Sequence, residues 1–507
     1  MHLSMLLDMA ADGFGDRTAF GSSGRGLTYA GLREQAGRAA AWISARDVER
    51  VGLVDLNSSA VPILLYGAAL AGRPFAPLNY RLADDQLRAL VARLAPAVVV
   101  VDDPVRERVG TVPGVELVAR AEFVDQVGAG PAPEPAVAGD PDQVAVLLFT
   151  SGTTGEPKGA VLRHRHLASY VIGAVEFMGA GEDEAALVCV PPYHVAGISA
   201  VLTSVYAGRR IVYLPAFTPE AWVATAREED VSHAMVVPTM LGRILDVLQH
   251  SGDRLEHLRH LSYGGGRMPI PVVERALTML PQVDFVNAYG LTETSSTIAV
   301  LGPEDHRVAL SSDDANVRRR LGSVGRPLPT VEVEIRDVDG HPVRPGDVGE
   351  LWVRGDQVAG EYLGRGQASE GDWFPTRDSA YLADDGYLYL SGRMDDVVVR
   401  GGENISPGEI EDVLAAHPAV ADAAVVGIPD AEWGEAVAAA VVLRPGATAT
   451  EAELQTWIRD RLRSSKTPAW IDFRDQLPYN ELGKLLRRQV KGELAERRAA
   501  ALRGTST

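Results

Sequence analysis

The stretch Leu147–Gly159, LLFTSGTTGEPKG, constrains this chain more than any other. Val144 to Phe149 is a short, apolar, β-rich run and reads as a buried strand. It breaks into Thr150, Ser151, Gly152, Thr153, Thr154 and Gly155. Hydroxyls and glycines make a poor core and a good anion cradle. Glycine lets backbone N–H groups approach an oxyanion, successive N–H groups form a nest, and each hydroxyl adds a donor. Lys158 supplies a point charge. The Walker pattern G-x-x-x-x-G-K-[ST] is absent, so this is a phosphate loop of another kind. A strand feeding such a loop belongs in an α/β protein.

The rest of the first 300 residues fits that class. Val51 to Asp55 and Val98 to Val101 read as buried strands, and Ala30 to Ser44 and Ala60 to Ala71 as helices, the alternation of a mostly parallel sheet covered on both faces. Further strands are expected at Val188–Val190, Val231–Val237, Leu258–Tyr263 and Val283–Ala288. They end in proline, glycine, an aromatic or a polar group: Tyr193 and His194; Pro238; Gly264, Gly265 and Gly266; Tyr289 to Glu293. Ligands of α/β sheets bind at the carboxyl ends of strands, so four such ends predict one converging site. From Val324 the texture becomes antiparallel, with Asp-Gly turns at Asp339-Gly340 and Asp385-Gly386. Ser406-Pro407-Gly408-Glu409 starts a helix, with Ser as N-cap, Pro at N1 and Glu at N3. Strands at Ala421–Val426 and Ala436–Leu443 and a helix at Glu451–Leu462 complete a small C-terminal unit. Asp313 to Arg320 reads as a solvated loop.

With 507 residues the chain is too long for one core. A net charge of −19 argues against a nucleic-acid partner. The single cysteine, Cys189, excludes an intrachain disulfide and a Cys-based metal site and reads as a small core residue. No apolar run approaches the ~18 residues of a membrane helix, and no basic n-region opens the chain, so a cytoplasmic enzyme is expected. Oligomeric state cannot be read from the residues.

Taken together, TSGTTGEPKG at 150–159, AYGLTE at 288–293, WFPTRD at 373–378, GRMDDVVVRGGENISPGEIE at 392–411 and ELGKLLRR at 481–488 resemble the adenylate-forming superfamily. That superfamily comprises acyl- and aryl-CoA synthetases, luciferases and peptide-synthetase adenylation domains. The resemblance spans nearly the whole chain. It implies an α/β fold: a large N-terminal domain of mostly parallel sheets covered by helices with a small β-barrel-like part, residues 1–394. A small mobile α+β lid, residues 395–507, would follow, hinged at Asp395. It implies ATP, Mg²⁺ and CoA as co-reactants. Thr150, Ser151, Gly152, Thr153, Thr154 and Lys158 would hold the β- and γ-phosphates, Thr292 the α-phosphate, and Glu293 Mg²⁺. Tyr289 would stack on adenine, flanked by Ala288 and Gly290, with Gly264–Gly266 as the opposite wall and Asn287 on the adenine amine. Asp378 would accept the ribose hydroxyls, and Arg393 would bind the ribose–phosphate region. Lys484 matches the catalytic lysine, a cation between two anions that must meet. His194 resembles the position between the acid pocket and the thiol tunnel. Gly401 and Gly402 would line the pantetheine channel, and Trp433 would meet the CoA nucleotide, though it reads equally as a core tryptophan. His164 and His166 suit helix capping.

Two positions depart from the family pattern. Arg377 stands where T-G-D has glycine, which implies a different local turn or ATP edge. Ser465 replaces an aromatic in SSKTP, which weakens CoA gripping. The expected reaction is acid–CoA ligation through acyl-AMP. The alternative is the same ATP chemistry with an amine, a carrier-protein thiol or nitrite as acceptor. Tyr193, Val195, Gly197, Ile198 and Ala288 suit an apolar or aryl acid, and the absence of a carboxylate near Met235 and Val236 disfavours an α-amino acid.

Overall fold

The structure is a computed structural model that describes residues 1–130, 139–150, 157–430, 432–479 and 485–504. Two large mixed sheets dominate it. The first has eight strands, in the order 366–367, 361–362, 158–163, 144–150, 75–77, 50–54, 97–101 and 115–119. Its inner pairs are parallel, and antiparallel pairs close the end beside the phosphate-loop strand. The second has nine strands, in the order 326–327, 296–301, 284–291, 260–264, 233–236, 185–188, 210–213, 18–20 and 27–28. It too is parallel at its centre.

The largest core lies between these sheets. Helices Leu3–Phe14, Tyr29–Ser44, Ala60–Leu70, His164–Ala174 and Val195–Ala207 contribute to it together with Val51, Leu53, Val146 and Leu148 from one sheet and Phe20, Val188 and Ile211 from the other. Ala60–Leu70 is apolar all round because nearly all of it is buried. Every residue of Ala97–Val101 is buried, which is why that strand reads as an unbroken β-branched run.

A four-stranded antiparallel sheet, 332–336, 349–354, 374–382 and 388–393, wraps a separate core of Ile335, Leu351, Val353, Phe374 and Leu388. The C-terminal sheet joins 403–405, 398–400, 434–443 and 420–430, with 470–474 parallel to 434–443. Helices Pro407–Ala415 and Glu451–Arg459 cover one of its faces.

Several elements differ from the sequence reading. The strand expected at Val188–Val190 is Ala185–Val188, and Cys189 and Val190 follow it as buried non-strand residues. Burial raises the Cys189 thiol to about 12, so it is an inert core group. Asp313–Arg320 is mostly exposed, as expected, but forms two short helical turns instead of a loop, with Arg319 over Tyr389 and Arg320 over Tyr387, each within 5.4 Å of the ring centroid. Ser406 occupies the N-cap position, but its hydroxyl donates to the Ser391 carbonyl instead of capping the helix. His166 does cap its helix, accepting the Arg163 N–H at 3.3 Å.

Candidate active site

The parallel strands 260–264 and 284–291 end side by side, with Gly264 opposite Ala288. A Cβ on Gly264 would collide with the Ala288 carbonyl, so only glycine permits this approach. Asn287 donates an amide N–H to the Ser323 carbonyl at 3.0 Å, which leaves its own carbonyl oxygen as the acceptor for a ligand amine.

Tyr289 donates to Asp378 Oδ2 at 2.5 Å, and Arg393 Nη1 donates to Asp378 Oδ1 at 3.0 Å. Burial pushes the Tyr289 phenol well up, and the Asp378 charge pushes it further, so it stays a donor. Burial alone would lower the Arg393 guanidinium; Asp378, Tyr289 and Glu293 outweigh it and raise it. Asp378 is therefore a buried carboxylate held from both sides by Tyr289 and Arg393. Its aim comes from a bulge. Glu350 pairs with Ser379 and Trp352 with Pro375, so Thr376, Arg377 and Asp378 face Leu351 alone. Thr376 donates to the Leu351 carbonyl at 2.8 Å and accepts the Asp378 N–H at 3.1 Å.

Arg377 sits in that bulge at φ 63°, the left-handed region that favours glycine. The glycine-type turn is thus retained despite the substitution, and its cost is backbone strain of about 1 kcal/mol. Arg377→Gly relieves this strain but gives back some unfolded-chain entropy. A net gain of about 0.5 kcal/mol, roughly 1–2 °C in Tm, is expected, with ATP affinity unchanged. Thermal unfolding checks it: a lowered Tm would mean that the Arg377 side chain carries more than the strain removes.

Beyond Leu291 the chain enters a tight turn, Thr292–Thr294. Thr294 Oγ1 accepts the Leu291 N–H at 2.9 Å and lies 2.8 Å from the Ser296 carbonyl. Gln357 bridges the carbonyls of Thr294 and Thr297. These bonds fix Thr292 and Glu293 at the strand's end. Glu293 Oε1 accepts the Tyr362 hydroxyl at 2.5 Å, and Lys158 Nζ lies 5.6 Å from the Tyr362 ring centroid. Tyr362 is held by its pairing with Ala160, beside the phosphate-loop strand. Lys158, Tyr362 and the Glu293 carboxylate therefore form one chain. One carboxylate beside a tyrosine hydroxyl suits a hard divalent cation that takes its other ligands from oxygen elsewhere, and so fits Mg²⁺.

His194 precedes the helix Val195–Ala207. Its ring lies 4.5 Å from that of Tyr193, which meets Tyr80 edge-on at 5.6 Å. Burial lowers its imidazole to about 4, so it is neutral near pH 7, and its buried Nε2 has no hydrogen-bond partner among the described residues. Ile198 is fully buried in the core between the large sheets, and Gly197 packs on the Pro191 carbonyl.

Gly401, Gly402 and Trp433 form a separate, exposed cluster on the C-terminal sheet. Gly401 donates to the Trp433 carbonyl at 2.9 Å, and a Cβ at 401 would come within 2.6 Å of the indole. Trp433 is 45% exposed, with Arg400 over its ring, so it is not a core tryptophan. Thr150 is described, its hydroxyl 3.5 Å from the Lys158 carbonyl. Ser151, Gly152, Thr153, Thr154 and Lys484 lie outside the described residues. Sequence reasoning missed Tyr362 and Gln357. Neither belongs to a motif, and only the sheet contacts bring them to the turn.

The AMP-binding enzyme family matches residues 7–363, and the AMP-binding enzyme C-terminal domain matches residues 409–484. The chain is 33% identical over 483 residues to a feruloyl-CoA synthase of Amycolatopsis sp, covering 94% of this chain and 95% of the relative. It is 32% identical to the fatty acid–[acyl-carrier-protein] ligase ScoC of Streptomyces coeruleorubidus, covering 92% of each. It is 33% identical to a 2-succinylbenzoate–CoA ligase of Bacillus velezensis, covering 92% of this chain and 93% of the relative. Among solved structures, ATP-bound MatB from Rhodopseudomonas palustris superposes with a TM-score of 0.85 at 27% identity, covering 98% of this chain and 99% of that one. The amide bond synthetase McbA from Marinactinospora thermotolerans superposes with a TM-score of 0.85 at 29% identity, covering 97% and 99%.

The chain belongs to the AMP-binding enzyme family, the adenylate-forming ligases. It is an ATP-binding enzyme of the acyl- and aryl-CoA-synthetase type, with a large α/β body and a small C-terminal domain. Among the described residues, no helix is long and apolar enough to cross a membrane.

Proposed function

We propose that this enzyme joins a carboxylic acid to CoA in two steps. A carboxylate oxygen attacks the α-phosphorus of ATP and pyrophosphate leaves; the CoA sulfur then attacks the acyl carbon and AMP leaves. The observation that carries this reading is the Asp378 carboxylate, locked between Tyr289 and Arg393 and electrostatically linked through Arg393 to Glu293. It is a pre-oriented acceptor for ribose hydroxyls beside a cation for the phosphates. Thr150, Ser151, Thr153, Thr154 and Lys158 would hold the β- and γ-phosphates, Thr292 the α-phosphate, and Lys484 the two reacting anions. Asn287 and Gly264–Gly266 would hold adenine. Mg²⁺, when bound by Glu293, would neutralise phosphate charge. The division at Asp395, an exposed residue in the short helical turn 394–396, would let residues 395–507 turn as a lid. That turn would bring Gly401, Gly402 and Trp433 to CoA.

An apolar or aryl acid suits the Tyr193–Tyr80 pair and the neutral His194, whose buried Nε2 offers one hydrogen bond to the substrate. Pyrophosphate release with ferulate, indoleacetate, 2-succinylbenzoate, and medium- and long-chain acids, each with and without CoA, tests the reading. Strong stimulation by CoA for one acid class supports it. Pyrophosphate release that CoA leaves unchanged would move the acceptor elsewhere.

That second reading has its own support. Ser465, without the family's aromatic, lies in a turn whose carbonyl accepts Arg400 at 2.8 Å, beside Gly401, and the relatives include a carrier-protein ligase and an amide bond synthetase. An amine, a carrier-protein thiol or nitrite would then take the acyl group.

Tyr362→Phe removes only the hydroxyl that orients Glu293. Loss of one charge-assisted bond, about 1.5–3 kcal/mol, predicts a ten- to hundredfold drop in pyrophosphate release and a raised Mg²⁺ requirement. An unchanged Mg²⁺ titration would remove Tyr362 from the site.

A further inference from the structure

The C-terminal unit is held against the body by a contact that no motif anticipates. Arg267 follows Gly264–Gly266, the run proposed to face adenine, and its guanidinium pairs with Asp412 on the helix Pro407–Ala415. The fit is close. A Cβ on Gly408 would collide with the Arg267 guanidinium and lie 3.5 Å from the Ser391 carbonyl. That same carbonyl accepts the Ser406 hydroxyl. Ser391, on the last strand of the four-stranded sheet, and Arg267, beside the nucleotide wall, thus grip the first two turns of one helix. Glu409 and Glu411 stand on the same helix. Glu409 is paired with Lys466 and Glu411 with Arg487; burial pushes the Asp412 carboxyl up, the Arg267 charge pulls it down, and both acids add to the rise. Arg267 therefore meets an acidic face. In this arrangement Gly401, Gly402 and Trp433 are exposed to solvent.

We propose that the Arg267–Asp412 ion pair is a latch. It holds the C-terminal unit in the arrangement that serves acyl-AMP formation, and it opens before the acceptor is engaged. The latch rests on the two-step reading above. Because the pair is half-exposed, it alone shifts the balance of arrangements by about fivefold at most. Reversing its sign shifts the balance further, because Glu409, Glu411 and Asp412 then all repel residue 267. Placing the latch next to the adenine wall gives a direct route by which an emptied nucleotide site loosens the lid.

The test uses the full-length enzyme with ATP and Mg²⁺ and needs no acid or acceptor. The native thiol, Cys189, is buried, so spin labels attach selectively at Val348→Cys and Asp460→Cys, both exposed. The expected wild-type distance distribution has its main peak at the separation of this structure. Arg267→Asp is expected to cut the population under that peak at least threefold, and Arg267→Asp with Asp412→Arg to restore it. Thermal unfolding of each variant confirms that the fold is retained. An unchanged distribution in Arg267→Asp, no recovery in the swapped pair, or a wild type without that peak overturns the latch. Failure of CoA to support turnover would overturn the acceptor reading and leave these distances unaffected.

Discussion

Lys484→Ala is expected to slow acyl-AMP formation by 10²–10³-fold, the usual cost of one preorganised charge-stabilising contact, about 3–4 kcal/mol. The first step brings a carboxylate to a phosphate, and repulsion between them dominates the barrier. A lysine between the two offsets ground-state repulsion and stabilises the charge that develops in the transition state. Thioester formation has no such anion pair to join, because its nucleophile attacks an already activated acyl carbon. The variant therefore separates the steps: ATP–pyrophosphate exchange collapses, while supplied acyl-AMP is still consumed with CoA. Equal loss in both steps would make Lys484 a structural residue, and no loss would make it a surface lysine outside the reaction.

Acid is expected to destabilise the fold steeply through its buried imidazoles. His164 and His166 are each 1% exposed, and burial lowers them to about 3 and about 4. Each accepts a backbone N–H, His164 from Leu3 at 3.4 Å and His166 from Arg163 at 3.3 Å, so protonation would replace an acceptor with a second donor. His2, also lowered by burial, stacks on His164 at 3.6 Å between centroids. In the unfolded chain these groups titrate near 6.5. Above that pH neither state binds the protons, and stability is flat. Between 6.5 and about 4 the unfolded chain takes up protons that the folded chain refuses, so stability falls with pH. At pH 5 each of the two imidazoles costs about 2 kcal/mol, and the two together about 3–4 kcal/mol. His194, His233 and His306, all lowered by burial, act in the same direction, whereas the raised carboxyls of Asp8, Asp55, Asp412 and Asp422 act against it as they protonate. Calorimetry at pH 8, 7, 6 and 5 should show Tm nearly constant from pH 8 to 7 and dropping from pH 7 to 5. A Tm unchanged between pH 6 and 5 would mean that these histidines are hydrated in solution.

The local chemistry of this chain was legible in its residues. The apolar run 144–149, the hydroxyl–glycine loop that follows it and the strand ends at 264 and 288–293 carry their own signals. Period, turn residues and glycine act over a few positions and need no partner. Asp378 was legible for the same reason, as one charged residue in a motif.

Tertiary structure alone decided what holds those groups. Tyr362 reaches Glu293 across 69 residues and Arg267 reaches Asp412 across 145. Such contacts leave no periodic trace, because they exist only where separate sheets and a C-terminal helix are brought face to face. The same holds for Arg377, whose left-handed backbone contradicts its own propensity. The surrounding bulge imposes that conformation, since Thr376 and Asp378 have no other way to satisfy Leu351 and aim the carboxylate. The sequence by itself pointed to the groups proposed to handle a nucleotide; only packing, through surface burial that no local window can count, determined how the described ones are oriented and what the C-terminal helix meets.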